Sequence, residues 1–302
     1  MTDETGTGIA AGTAAPHAGL SVSAFGITDK GKKRTTNEDQ FLIAELTKAM
    51  RVCQTSLPEP RLQVGNEHAH LFLVADGMGG HRAGERASAL AVVAIEQFTL
   101  NTFKWFLGAN DSEAQKVLAQ FQAALSQADA RIIEEVAEHP ELHGMGTTVT
   151  MAFQLGTQLC VVHVGDSRAY LHRGGELQQI TQDHTLIAEM VRSGTLREDE
   201  VAGHRLRHVI TNVVGGQDPG VKVEAHAFEV QADDRLLICS DGLTEMVSNE
   251  TIAATLDAEP AVEAAARKLL ALANDAGAND NITLLIARFD RAPADAGTAG
   301  AV

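Results

Sequence analysis

Five places in this chain put acidic side chains at the end of an apolar run, and they constrain the fold more than any other feature. Asp76 closes Leu71-Phe72-Leu73-Val74-Ala75, Asp166 follows Cys160–Gly165, and Asp241 follows Leu236–Ser240. Asp280 stands just before Ile282–Phe289, and Glu38 and Asp39 open the run Gln40–Ala44. Each sits beside Gly or Asn, where short polar residues also serve as turn formers or helix caps. Taken together they predict anionic oxygens gathered along one rim of a sheet. Such a cluster repels itself unless cations neutralise it. A donor set of oxygens selects hard ions, Mg²⁺ or Mn²⁺. No Cys or His pair has zinc-ligand spacing. Two such ions about 3.5–4 Å apart activate water and polarise a phosphoryl group, which is phosphate-ester hydrolysis without a protein nucleophile.

The rest of the chain supplies the scaffold. Strands are expected near 20–27, 40–44, 71–75, 147–153, 158–164, 169–173, 222–230, 235–239 and 282–289. Arg173-Gly174-Gly175-Glu176 reads as a hairpin. Helical periodicity covers Ala83–Phe98, a second helix near 113–136, Thr185–Val201, 249–256 and 261–273. Residues 47–66, with two prolines and mixed charge, read as a loop or insertion. Hairpin-linked strands with paired helices predict an α+β protein, helices packed outside two mostly antiparallel sheets. The domain is expected over 19–290, with disordered small-residue tails at 1–18 and 291–302.

Composition excludes several classes. The formal net charge is −16, from 24 basic and 40 acidic residues, which argues against nucleic acid as the main partner. Three cysteines without CxxC pairs fit a reducing compartment, with Cys160 and Cys239 as core thiols. The acidic start, Met-Thr-Asp-Glu, is unlike a signal peptide. No apolar stretch reaches the roughly 20 residues of a membrane span. The chain is therefore read as a cytoplasmic monomer with no membrane partner. Two look-alikes fall away: Gly26–Lys32 is followed by Lys33 rather than Ser or Thr, and a dinucleotide loop at 77–82 would place its third glycine at Arg82. Arg34, four residues before Glu38, offers a guanidinium fork suited to phosphate, or is simply one cation of a basic surface stretch.

Six ordered motifs carry a family resemblance. They are Arg34-Thr35-Thr36-Asn37-Glu38-Asp39, Val74–His81 around Asp76-Gly77-Met78-Gly79-Gly80, and Gly144-Met145-Gly146-Thr147-Thr148. Then come Val164-Gly165-Asp166-Ser167-Arg168, Cys239-Ser240-Asp241-Gly242 and Gly277–Thr283 around Asn279-Asp280-Asn281. Together the chain resembles the bacterial metal-dependent protein phosphatases of type 2C. The resemblance implies a four-layer α/β/β/α sandwich and a serine/threonine phosphatase that reverses kinase signalling. Its partners would be phosphorylated proteins, a Ser/Thr kinase and that kinase's substrates. It implies that Asp76 bridges two Mn²⁺ or Mg²⁺ ions, with Glu38 and the Gly77 carbonyl serving one, and Asp241 and Asp280 the other. Asp166 matches a third, weaker metal position, Arg34 the phosphate-binding arginine, and 186–216 a flap beside the site. His184 matches a recurrent motif without a role. Three departures stand out: Met78 replaces a histidine found in animal members, leaving His81 as the nearest general-acid candidate; residues 47–66 are long; and Glu245 stands where a third-metal aspartate is usual. A silent phosphoprotein-binding scaffold of the same fold is the rival reading.

Overall fold

The structure, a computed structural model, describes residues 20–51, 62–80, 82–102, 111–201, 203–216 and 220–292. The expected tail at 1–18, all of the expected tail at 291–302 except Arg291 and Ala292, the middle of the expected insertion and His81 lie outside the described residues; Arg291, expected in the tail, is instead the last residue of a strand.

The apolar run Leu71–Ala75 shows why the chain forms layers. All five residues are buried, and they alternate between two cores: Leu71, Leu73 and Ala75 face helices, while Phe72 and Val74 face the other sheet. A strand covered on both sides has no solvent face and so reads as continuous hydrophobicity. It belongs to β3 (Leu62–Met78), which pairs with β2 (Asp39–Arg51) and β5 (Val149–Leu155). β6 (Gln158–Val164) and β9 (Glu224–Glu229) complete that sheet, and the short β4 (Gly146–Thr147) pairs with the end of β3. The second sheet runs β1 (Leu20–Asp29), β11 (Ile282–Arg291), β10 (Arg235–Cys239), β7 (Arg168–Arg173), β8 (Glu176–Gln179). Every neighbouring pair is antiparallel.

Between the sheets lies a core of Phe72, Val161, Leu236, Ile238, Leu285 and Phe289. Helices α1 (Arg82–Thr102) and α2 (Asp111–Glu138) cover the outer face of the first sheet through Ala87, Ile95, Phe121 and Ile132. Helices α5 (Asn249–Ala258) and α6 (Val262–Asp275) cover the second through Ile252, Leu256 and Leu269. The expected four-layer α/β/β/α sandwich is the fold found. Cys160 and Cys239 are buried, as read from their apolar surroundings.

Two expectations are corrected. Residues 47–51 and 62–66 are not loop but the outer arms of the β2–β3 hairpin, with Ala49 opposite Val64 and an irregularity between Thr47 and Ala49. The segment expected to be helical over Thr185–Val201 is helical only at α3 (Leu186–Arg192), with a single 3₁₀ turn at Glu198–Glu200. Thr185 caps α3 by accepting from the Ala188 N–H, and Gly194, at φ +73°, ends it in a left-handed turn.

Candidate active site

The site forms where one end of each sheet meets the other. On the first sheet, Asp39 and Asp76 are direct cross-strand partners at the end of the β2–β3 ladder. The Asp76 backbone is held from the opposite side. Its N–H donates to the Thr148 hydroxyl, and its carbonyl accepts from the Thr148 N–H and the Thr147 hydroxyl. Thr148 in turn bonds to the Ser167 hydroxyl at 2.7 Å. The Gly-Thr-Thr and Asp-Ser motifs therefore act together as a frame for Asp76. Glu38 is buried beside it, its carbonyl accepting from the Ser88 hydroxyl of α1 and from the Gly77 N–H.

Two glycines make this approach possible. A Cβ on Gly77 would sit 2.1 Å from the Gly84 carbonyl oxygen, and a Cβ on Gly84 would sit 2.1 Å from Glu38 Oε2. Strand end, helix start and carboxylate thus occupy space that any side chain would fill.

The second sheet brings Asp241 and Asp280. Asp241 begins α4 (Asp241–Thr244) at the end of β10, and Asp280 lies just before β11. A Cβ on Gly242 would lie 2.0 Å from the Asn281 carbonyl oxygen, so the two loops touch directly. Asn281 joins them to the first sheet: its Oδ1 accepts from the Glu38 N–H, and its Nδ2 donates to the Lys30 and Thr36 carbonyls. Ser240 adds a second tie, donating to Asp39 Oδ2 at 2.9 Å while its oxygen accepts from the Thr283 N–H.

Electrostatics show how tightly these carboxyls are crowded. Burial, and then the charges of Asp39, Asp241, Asp166 and Asp280, hold the Asp76 carboxyl well above its ordinary range. Burial and then Asp166, Asp280 and Glu245 do the same to Asp241. Asp39 is pushed up to about 6, chiefly by burial, and Asp166 to about 7, by burial and then Asp183. Oδ1 of Asp39 and Oδ1 of Asp241 are buried without a hydrogen-bond partner among the described residues. Buried anionic oxygens without donors are costly unless something positive meets them. An all-oxygen donor set of this kind fits hard divalent cations, and Glu38, Asp76, Asp241 and Asp280 are its candidate members. Arg34 reaches the same rim, its Nη2 2.6 Å from Asp280 Oδ2, with its side chain half exposed. The expected site residues that the structure describes therefore all converge on one rim.

Two functional features escaped the sequence reading. Asp39 is counted among the strand-end acids, but its place directly opposite Asp76 depends on a register set across a long hairpin. His184 is a junction. Gly165, the residue before Asp166, donates its N–H to His184 Nδ1 at 3.0 Å, and its carbonyl accepts the His184 N–H at 2.7 Å. The His184 carbonyl accepts from Thr211, its Nε2 lies 3.5 Å from Glu224, and its ring stacks on buried His163. The imidazole thus ties the Asp166 loop to segment 186–216. Its partners lie 19 residues before it and 27 and 40 after it, so no local pattern discloses them.

Comparison with known proteins agrees with this geometry. The family model described as Protein phosphatase 2C matches residues 52–284. The chain is 39% identical over 219 residues to the serine/threonine protein phosphatase PstP of Mycobacterium tuberculosis, covering 72% of this chain but only 40% of that relative's length. It is 31% identical over 265 residues to the serine/threonine phosphatase stp of Listeria monocytogenes, covering 87% of this chain and 94% of stp. Among solved structures, the catalytic domain of PstP in complex with two manganese ions superposes with a TM-score of 0.70 at 33% identity, covering 90% of this chain and 99% of that one. The S. agalactiae serine/threonine phosphatase superposes with a TM-score of 0.75 at 29% identity, covering 89% and 99%.

Proposed function

The chain belongs to the protein phosphatase 2C family, and on that premise we propose that it is a metal-dependent protein phosphatase acting on phosphoserine and phosphothreonine. The observation that carries the reading is the crowding of Glu38, Asp39, Asp76, Asp166, Asp241 and Asp280, with two buried oxygens left without donors. The relative solved with two manganese ions supports Mn²⁺ as a cofactor, with Mg²⁺ as the alternative hard ion. In this reading Glu38, Asp76, the Gly77 carbonyl, Asp241 and Asp280 would hold the two core cations, and Asp166 would contribute to a third. When bound, these cations supply Lewis acidity to the phosphoryl group and the attacking water.

The chain's own residues do the rest. Arg34 binds two phosphoryl oxygens with a guanidinium that stays charged at any working pH. Thr147 and Thr148, the latter braced by Ser167, hold the Asp76 backbone in place and so fix where its side chain leaves the strand. Segment 186–216 is the flap over the site within a catalytic domain spanning 19–290. Partners are phosphorylated proteins, the substrates of a Ser/Thr kinase. Among the described residues no helix is long and apolar enough to cross a membrane.

The decisive experiment is hydrolysis of a phosphothreonine peptide before and after exhaustive chelation. Activity should vanish and return with Mn²⁺ or Mg²⁺. Full activity in chelator would sink the reading, and cation binding without turnover would favour the scaffold.

A further inference from the structure

One acidic residue sits on the core-facing side of α2, among Leu125, Ala128 and Ile132. Asp129 is 6% exposed there, a position that helical periodicity assigns to an apolar side chain. Buried acids of this kind are rare unless their oxygens are met. Here both are met by backbone: Oδ1 accepts from the Gly215 N–H at 2.7 Å, and Oδ2 accepts from the Gly220 N–H at 3.2 Å. The fit is close. A Cβ on Gly215 would lie 2.3 Å from Ile132 Cγ2, three residues along the helix from Asp129. Asn212 closes the same loop, its Oδ1 accepting from the Lys222 N–H at 3.1 Å and its Nδ2 donating to the Lys222 carbonyl at 2.6 Å.

The clamp lies one residue from the frame of Asp76. Val214, fully buried, precedes Gly215 and pairs with Thr147 in both directions, each N–H donating to the other's carbonyl at 2.9 Å. The Thr147 hydroxyl then donates to the Asp76 carbonyl at 2.8 Å. Thr147 belongs to β4, which has two residues and pairs with the end of β3 on its other side. So short a strand is held by its flanks rather than by its own ladder. Val214 is one of those flanks, and Asp129 holds the residue after it.

We propose that Asp129 is a positioning residue for the phosphatase reaction: by clamping Gly215 and Gly220 it seats Val214 against Thr147, and through Thr147 it fixes the Asp76 backbone at the rim. The proposal rests on the phosphatase reading and extends the site's support to α2, which carries none of the six sequence motifs. The chemistry of the clamp requires an acid. Packing α2 on the sheet would be served by an apolar residue at this position. Two converging N–H groups need two acceptor oxygens, and an amide offers only one, setting its NH₂ against the second N–H.

The test uses the full chain, Asp129→Asn, Thr147→Val and the double variant. In the metal-free protein, amide hydrogen exchange at Val214 and Thr147 should run roughly tenfold or more faster in Asp129→Asn, while the amides of β10 and β11 keep their protection and so report an intact fold. With saturating Mn²⁺ and nitrophenyl phosphate, kcat should fall about tenfold or more and KM should stay within about twofold. Because Asp129 acts through Thr147, the double variant should lose little more than Thr147→Val alone. Should Asp129→Asn not fold, Asp129→Glu, with both acceptors one methylene further out, serves for the same comparison. In an active parent chain, unchanged exchange at Val214 and Thr147, or losses in kcat that multiply in the double variant, would overturn the proposal alone. A parent chain that hydrolyses no phosphate ester with Mn²⁺ would overturn the phosphatase reading and the proposal with it.

Discussion

The crowded rim makes a quantitative prediction about the metal-free protein. Asp166 is 8% exposed, and burial, with Asp183 and Glu245 nearby, lifts its carboxyl from an ordinary 3.8 to about 7. Between those two values the folded chain binds more protons than the unfolded chain at this residue. Folding stability must therefore fall as pH rises from about 4 through 7. A difference of roughly 3 pKa units corresponds to about 4 kcal/mol once the group is ionised at pH 8. Asp166→Asn removes the ionisation while keeping the shape. In chelator, the variant and the parent should unfold at the same urea concentration near pH 4. The gap should open by up to about 1.4 kcal/mol per pH unit, leaving the variant more stable by up to about 4 kcal/mol at pH 8. Saturating Mn²⁺ should shrink the gap, because a ligand bound only by the folded state stabilises the parent. The assay is equilibrium urea unfolding from pH 4 to 8, with and without chelator. A gap that is constant across pH in chelator would refute the argument that buried charge, rather than packing, governs this position.

Three further outcomes follow from other parts of the structure. His163 is fully buried and lowered to about 4, chiefly by burial and then by His184, so its stabilising neutral form is complete above pH 6.5 and is lost as pH falls towards 4. The loss is worth roughly 3 kcal/mol, and His163→Gln should flatten that limb in the same urea series. Gly84→Ala places a methyl 2.1 Å from Glu38 Oε2; cation affinity measured by calorimetry should drop more than tenfold, or roughly 1.4 kcal/mol, while far-ultraviolet circular dichroism stays unchanged. If His81 is the leaving-group acid, His81→Ala should cut phosphothreonine-peptide turnover by about 10²–10⁴-fold and barely touch nitrophenyl phosphate, whose leaving group needs no proton; an equal loss on both substrates would remove His81 from the role.

How much of this was legible in the sequence depends on the range of the interaction that decides each feature. The hairpin at Gly174-Gly175 was legible because both residues take positive φ, +59° and +86°, as a tight reversal matched to strand twist requires. The doubly buried strand at Leu71–Ala75 was legible because burial on two faces leaves its mark on consecutive residues. The outer arms of β2 and β3 were not, since two prolines and mixed charge lie between them and only cross-strand pairing identifies 47–51 and 62–66 as strand. The helix expected through Val201 stops at Arg192 because Gly194 adopts a left-handed turn, a choice periodicity does not report. At the site, Asp76, Asp166, Asp241 and Asp280 were visible as strand-end carboxylates. The roles of Asp39 and His184 lie in register and in backbone contacts made far along the chain.

The same geometry bears on the choice between enzyme and silent scaffold. A surface that only binds phosphate needs cations or backbone N–H groups directed outward, and gains nothing from buried carboxyls. Here the chain instead buries Glu38, Asp39 and Asp166 and raises the pKa values of Asp39, Asp76, Asp166 and Asp241. Each of those shifts lowers the stability of the folded state near neutral pH. The framework around them is also more rigid than mere charge storage demands: Thr147, Thr148 and Ser167 hold the backbone and frame of Asp76, Asn281 fastens Glu38, and Ser240 fastens Asp39. Acidic residues whose backbones are held this tightly, at a cost in stability, are what a site needs when its cations must act on a phosphoryl group in one fixed geometry. Residues selected only to hold the two sheets together would be better served by apolar side chains at the same positions.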